Sequence, residues 1–162
     1  MHEFEIGGLS FGDPEQCENG ELADGRQTID EGSIRLTDFT RNPGTRFTYL
    51  YDFGDSWRHT VTIERFISLE TLPQTARCID GARARPPEDV DGVPGYERFL
   101  AVMSNPSDPE HNEMKQWVHG NFSPDWFDLG RIDKDVRMAL LPNYRRLLYQ
   151  PRPGTRKVAL LN

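Results

Sequence analysis

The clearest pattern in the chain runs from Thr45 to Phe66, TRFTYLYDFGDSWRHTVTIERF. Phe47, Tyr49, Tyr51 and Phe53 alternate with polar residues, and Trp57, His59, Val61 and Ile63 do so again after a Gly-containing turn. A side-chain period of two is the signature of a strand with one covered face. The pattern predicts an antiparallel hairpin of Thr45–Phe53 and Trp57–Phe66, with Phe47, Tyr49, Tyr51, Trp57, Val61 and Ile63 buried. A three-residue loop of Gly54, Asp55 and Ser56 places Phe53 opposite Trp57, Tyr51 opposite His59, Tyr49 opposite Val61 and Phe47 opposite Ile63. The reverse face then pairs Asp52 with Arg58, Leu50 with Thr60, Thr48 with Thr62 and Arg46 with Glu64. Cross-strand pairs of these kinds contribute about 0.2–1 kcal/mol each. A two-residue loop would slip the register by one position and mix the faces.

Elsewhere the signals are shorter. Gly12, Gly20, Gly25 and Gly32 break up an acidic stretch that reads as a loop or irregular hairpin. Ser33 to Leu36 reads as a short strand followed by a turn of helix. Residues 67–93 hold Pro73, Pro86 and Pro87 and read as a long loop, the kind of segment that often carries function. Pro94–Ser104 reads as a helix, with Tyr96, Phe99, Leu100 and Met103 on one stripe. Asp108 and Pro109 fit the cap and first position of a helix ending near Gly120, and Ser123-Pro124 repeats that start signal. Ile132 to Tyr149 reads as helix broken at Pro142. Strands followed by helices predict an α+β fold: an antiparallel β-sheet with the aromatic hairpin at its centre, packed against C-terminal helices. One domain is expected over residues 1–150, with a basic tail over 151–162.

Charge changes this picture in one respect. The net charge of the 162 residues is −7, which argues against coating nucleic acid by bulk electrostatics. The distribution is uneven. Residues 1–130 carry 11 basic and 24 acidic residues, a net −13, whereas residues 131–162 carry 8 basic and 2 acidic, a net +6. The basic segment reads either as docked on the acidic body or as an arm for an acidic partner. In the second reading Arg145, Arg146, Arg152, Arg156 and Lys157 give weak, salt-sensitive nucleic-acid binding. There is no apolar run of membrane-spanning length and no signal-peptide pattern, so no membrane is expected and a cytoplasmic setting is. Cys17 and Cys78 form no CxxC pair, which fits a reducing compartment.

The chemical candidates each have a plain alternative. His59 reads as a base or metal ligand, or as a hydrogen-bonded core histidine opposite Tyr51. Asp52 and Asp55 read as a carboxylate pair, or as an ion-pair partner of Arg58 and a turn residue respectively. Glu88, Asp89 and Asp91 follow two prolines and read as a hard-cation site without EF-hand spacing, or as a solvated acidic turn. Trp57 and Tyr96 are candidate binding residues beside their packing role. Common cofactor and hydrolase motifs are absent, and no cofactor or transition metal is expected.

Three segments carry a family resemblance: YLYDFGDSWRHTVTIE (Tyr49–Glu64), CIDGARARPPEDVDGVPGY (Cys78–Tyr96) and FSPDWFDLGRID (Phe122–Asp133). With MHEFEIGG at the start, their order and spacing resemble the plasmid pRiA4b ORF-3-like family, whose members are also labelled transposon passenger TnpR-like proteins. The resemblance implies an α+β fold and a mobile-element setting rather than a reaction. It also implies a strand and helix before MHEFEIGG that this chain lacks, and hence a sheet edge or apolar groove covered by another chain. Family members often carry cysteines in the PPED segment, where this chain has Arg85 and Val90 and keeps only Cys78, which weighs against a thiolate metal site. Two functions follow as expectations. One is a binding module, encoded on or near mobile elements, that contacts a protein partner or nucleic acid through the loop at residues 78–96 and the basic C-terminal segment, with self-association also expected. The other is a hydrolase-like enzyme in which His59, Asp52, Asp55, Glu88 and Asp89 converge.

Overall fold

A computed structural model describes residues 1–16, 27–70 and 76–139. The chain divides into two compact units, Met1–Glu70 with Asp91–Val93, and Thr71–Val90 with Pro94–Asn162. The first unit is a five-stranded sheet of β1 (His2–Ile6), β2 (Leu9–Gly12), β3 (Thr28–Asp30), β4 (Arg46–Tyr51) and β5 (Trp57–Thr62), in the order β3-β2-β1-β4-β5. All neighbours are antiparallel except β2 and β3. With three α-helices among the described residues, the fold class is α+β as the sequence predicts.

Local chemistry explains the strand connections. Gly7 and Gly8 join β1 to β2, both with left-handed φ (60° and 81°), the backbone of a two-residue hairpin turn matched to strand twist. The β4–β5 hairpin is present, but its loop and register differ from the expectation. The strands end at Tyr51 and Thr62, and the connection is five residues, Asp52 to Ser56. Tyr51 therefore faces Trp57, Tyr49 faces His59 and Phe47 faces Val61. The slip is two positions, which keeps every side chain on its expected face while changing every partner. The cause is that Asp52 and Ser56 both take left-handed φ (58° and 55°). Asp52 Oδ1 accepts the Gly54 N–H at 3.0 Å, and the Ser56 N–H donates to the Asp52 carbonyl at 2.6 Å.

Burial is narrower than expected. Ile6, Phe11 and Phe47 form the buried centre, with Phe4, Ile34, Phe39, Val61 and Ile63 packed on it. Tyr51 is exposed and Trp57 and Tyr49 are half-buried, so the hairpin's aromatic face is covered only toward Phe47. The opposite face buries Glu3, which accepts the Ser10 hydroxyl at 2.6 Å. Ser33 to Leu36 is not a strand; two short 3-10 turns, Glu31–Ser33 and Leu36–Asp38, lie there instead. Asp91–Val93 belong to the sheet unit through Gly92, which is buried, has φ 66° and packs its backbone on the Asp55 carbonyl.

The second unit carries α1 (Gly92–Ser104, begun in the last residues of the sheet unit), α2 (His111–Trp117) and α3 (Leu129–Met138). Phe99 and Val102 are buried, and the Phe99 ring lies 5.0 Å from Phe122 and 5.9 Å from Trp117. The α2 helix starts later than Asp108-Pro109 suggests. Asp108 Oδ1 accepts the Glu110 N–H at 2.9 Å and so caps a turn that precedes the helix. Ser123-Pro124 starts no helix, because the Pro124 carbonyl accepts the Ala84 N–H at 2.9 Å. The true cap is Asp128, whose side chain accepts the Arg131 N–H at 3.0 Å. The expected continuation to Tyr149, and the tail, lie outside the described residues.

Phe11 is 1% exposed. Replacing it with Ala removes a large buried side chain, so Phe11→Ala should destabilise the sheet unit by about 3–5 kcal/mol. Urea unfolding monitored by hydrogen exchange in β1 and β2 reads this directly. Gly92→Ala should also destabilise, by about 2 kcal/mol or more, since it adds a left-handed strain to a clash with the Asp55 carbonyl.

Candidate functional site

One face of the sheet gathers amphipathic rings. Directly opposed residues of neighbouring strands share a face, which places His2, Phe4, Tyr49, Tyr51, Trp57 and His59 together. Tyr49 is the hub. Its ring lies 4.9 Å from Phe4, 5.7 Å from His59 and 5.9 Å from His2. His2 Nε2 donates to Glu31 Oε2 at 2.9 Å, which fixes the ring at the margin of the cluster. Tyr51 is 39% exposed and His59 is also exposed, so the band is open to water at the end nearest the hairpin turn.

The candidate residues in this unit are held by structural partners. His59 is hydrogen-bonded as expected, with Nδ1 3.3 Å from the Tyr49 carbonyl oxygen, but it is exposed rather than in the core, and it faces Tyr49 rather than Tyr51. Asp52 does not pair with Arg58; it caps the turn through Gly54, while Arg58 Nη1 lies 3.7 Å from Glu5 Oε2. Asp55 is a turn residue whose Oδ2 accepts the Trp57 indole N–H at 3.1 Å.

The loop of residues 78–96 belongs mostly to the second unit and is pinned at several points. Asp133, buried on α3, accepts the Cys78 backbone N–H at 3.1 Å and faces Arg77 and Arg137 at 3.3 and 3.2 Å. Gly81 packs against the Phe127 ring, where a Cβ would clash. Arg85 and Glu88 form an ion pair. Arg83, Asp89 and Asp91 take left-handed φ between 57° and 66°. Such φ values in non-glycine residues carry local strain, which the anchors around them must hold. Tyr96 sits near-parallel to Phe99 at 6.3 Å, and burial raises its phenol pKa, with Arg83 opposing and Asp125 adding to the rise.

Asp52, Asp55 and His59 thus belong to the sheet unit, and Glu88 and Asp89 to the other. Among the described residues no three His, Cys, Asp or Glu side chains gather as a metal site. No described helix is long and apolar enough to cross a membrane. Arg145, Arg146, Arg152, Arg156 and Lys157 lie outside the described residues. The sequence reading missed β1, although His2, Phe4 and Ile6 alternate with Glu3 and Glu5 in the same period-two signal that revealed the hairpin.

Comparison with known proteins agrees with the three segments described above. The family model of the plasmid pRiA4b ORF-3-like protein matches residues 1–131. The uncharacterized protein y4hQ of Sinorhizobium fredii (strain NBRC 101917 / NGR234) is 35% identical over 124 residues, which cover 72% of this chain and 57% of that relative. The chain therefore spans little more than half the length of this curated relative. A crystal structure of a protein of unknown function, MM3350 from Methanosarcina mazei Go1, superposes with a TM-score of 0.63 at 30% identity, covering 84% of this chain and 72% of that one.

The Asp133 anchor generates a prediction about pH. The Arg77 hydrogen bond, more than any other cause, holds the carboxyl below the usual Asp range; burial opposes it, and the Cys78 N–H and the Arg137 and Arg77 charges reinforce it. The unfolded chain, with an Asp pKa of about 3.9, then takes up its proton before the folded one does. Stability from this group is complete above that value and is lost as pH falls toward the lower folded pKa. Thermal melting between pH 7 and pH 2 should show an acid-side loss in the second unit. Asp133→Asn should lower the neutral-pH melting temperature and flatten that limb.

Proposed function

Because the chain belongs to the plasmid pRiA4b ORF-3-like family, whose matched relatives are described as uncharacterised or of unknown function, we propose from its geometry that it is a protein-binding module. Its contact surface is the aromatic sheet face around Tyr49, Tyr51, Trp57 and His59. The observation that carries this reading is the open, amphipathic end of that face beside a turn whose carboxylates are already engaged. Tyrosine and tryptophan bring large area with a polar handle, which suits a surface that is wet when free and covered when bound.

Charge favours a protein over nucleic acid as the occupant. Residues 1–70 carry 14 acidic side chains against 6 arginines, a field that repels phosphates. Any nucleic-acid binding falls to the basic residues Arg145, Arg146, Arg152, Arg156 and Lys157, and is weak and salt-sensitive.

The test compares wild type with the double variant Tyr51→Ala, His59→Ala, two exposed positions whose loss leaves Phe11 and Phe47 in place. Quantitative affinity purification should recover the same partner proteins with the variant at least about tenfold less efficiently, the usual scale of an aromatic anchor. Equal recovery would remove the aromatic face from the reading. Fluorescence anisotropy with a single-stranded oligonucleotide should give dissociation constants no tighter than about 10⁻⁴ M at physiological salt. A tight, salt-insensitive complex would replace the protein partner with nucleic acid.

A further inference from the structure

Strand β5 ends the sheet, and apart from the single charge of Arg58 it has none of the devices that usually blunt an edge. Its sequence, Trp57-Arg58-His59-Thr60-Val61-Thr62, is six residues long and contains no proline, glycine or lysine. Natural edge strands are commonly short, bulged, proline-bearing or lined with lysine, because a row of unpaired backbone groups templates another strand. The direction of those groups follows from the ladder. The Ile63 N–H donates to the Thr45 carbonyl at 2.9 Å, and the Ile63 carbonyl accepts the Gly44 N–H at 2.7 Å, so Ile63 turns its backbone toward β4. By alternation Val61, His59 and Trp57 do the same, and Arg58, Thr60 and Thr62 point theirs outward. Among the described residues nothing continues the ladder beyond them. Directly after the strand, Phe66, Ile67 and Leu69 stand 54%, 64% and 54% exposed.

We infer that this edge pairs with β5 of a second copy, antiparallel about a two-fold axis through Thr60. Four two-fold registers lie within two positions of the strand's midpoint, at Arg58, His59, Thr60 and Val61, and the last sets Arg58 against Glu64, beyond the ladder. A two-fold at Arg58 sets two guanidinium groups face to face, and like charges directly opposite destabilise a pair. A two-fold at His59 sets two imidazoles opposite each other and leaves Thr62 beyond the ladder. The two-fold at Thr60 lets all three outward residues bond, Thr60 with Thr60 and Arg58 with Thr62 of the other copy. It also opposes His59 to Val61 and Trp57 to Ile63. Because the strands run antiparallel, the exposed Phe66, Ile67 and Leu69 that follow β5 in one copy lie toward the hairpin-turn end of β5 in the other. The pairing is isologous and closes as a dimer. Opposed residues share a face, so the two aromatic bands join into one continuous surface. The inference uses the strand's edge, whereas the protein-binding reading uses its face, and either can stand without the other.

Sedimentation equilibrium over a concentration series tests it. The wild-type chain should move from one chain mass toward two as concentration rises, by mass action. Thr60→Lys and Thr60→Glu each place like charges across the two-fold and should be monomeric at concentrations where wild type is dimeric. Because the Thr60 backbone groups face away from β4 and its side chain is exposed, both variants should match the wild-type melting temperature at dilutions where wild type is monomeric, and should lack the rise with concentration that dimer formation gives the wild type. An equimolar mixture of the two should regain the dimer, since lysine then meets glutamate. A wild-type chain that stays monomeric, single variants that stay dimeric, or a mixture that fails to pair would each overturn the assignment.

Discussion

The closure of the β4–β5 hairpin by Asp52 is the interaction on which the sheet's working surface depends. Its carboxylate caps Gly54 and its carbonyl takes the Ser56 N–H, and together these bonds make a five-residue connection in place of a tighter one. The connection sets Tyr49 opposite His59 and Tyr51 opposite Trp57. That register stacks four amphipathic rings at the open end of the face and leaves Phe47 and Val61 to meet the apolar centre. A loop shorter by two residues would move each ring of β5 one pair along and draw His59 toward the turn. The turn's acids set its geometry: Asp52 Oδ1 fixes the backbone at Gly54 and Asp55 Oδ2 fixes the Trp57 indole.

Part of this was legible in the chain. Parity of side chains was, because a strand's faces follow from a strict period of two and survive any even slip. The loop length was not. It depends on Asp52 and Ser56 entering a backbone region that non-glycine residues seldom occupy, and Gly54, the residue that looked like the pivot, caps nothing itself. The depth of burial was not legible either. Periodicity tells which residues share a face but not what lies above each one. Phe47 sits against Ile6 and Phe11, and Tyr51 two positions further along does not. The helix caps were misplaced for a related reason. Asp108 and Ser123 precede proline as good caps do, but the first serves a turn, and the second opens a turn closed by the Trp126 N–H whose Pro124 carbonyl is tied to Ala84.

The loop with the PPED sequence also has acidic groups in structural contacts. Asp133 is the deepest acid of the second unit, and a buried carboxylate needs compensation. It receives two guanidinium groups and a backbone N–H, and in return it fixes where the loop begins. Glu88 is tied to Arg85 three residues away. Within the second unit, Arg83 and Asp89 take left-handed φ in a segment held by the Asp133–Cys78 bond and the Arg85–Glu88 ion pair, and within the sheet unit Asp91 does so beside Gly92, which packs on the Asp55 carbonyl.

The difference between the exposed residues of the sheet unit is itself informative about when each is covered. Tyr49, Tyr51, Trp57 and His59 each carry a hydroxyl or ring nitrogen, so water on one side and packing on the other is a tolerable state for them. A surface made of such residues can cycle between free and bound forms. Phe66, Ile67 and Leu69 have no polar handle, and they stand together after the edge strand with more than half their surface in water. Full burial of such side chains is worth about 1.5–3 kcal/mol each, and roughly half to two-thirds of that remains to be gained here. That drive acts at every moment the chain is alone, and it sits beside an unblunted ladder of backbone groups. The edge and its apolar extension are thus the part of the unit under the strongest standing pressure to be covered, and the aromatic face is the part suited to intermittent contact.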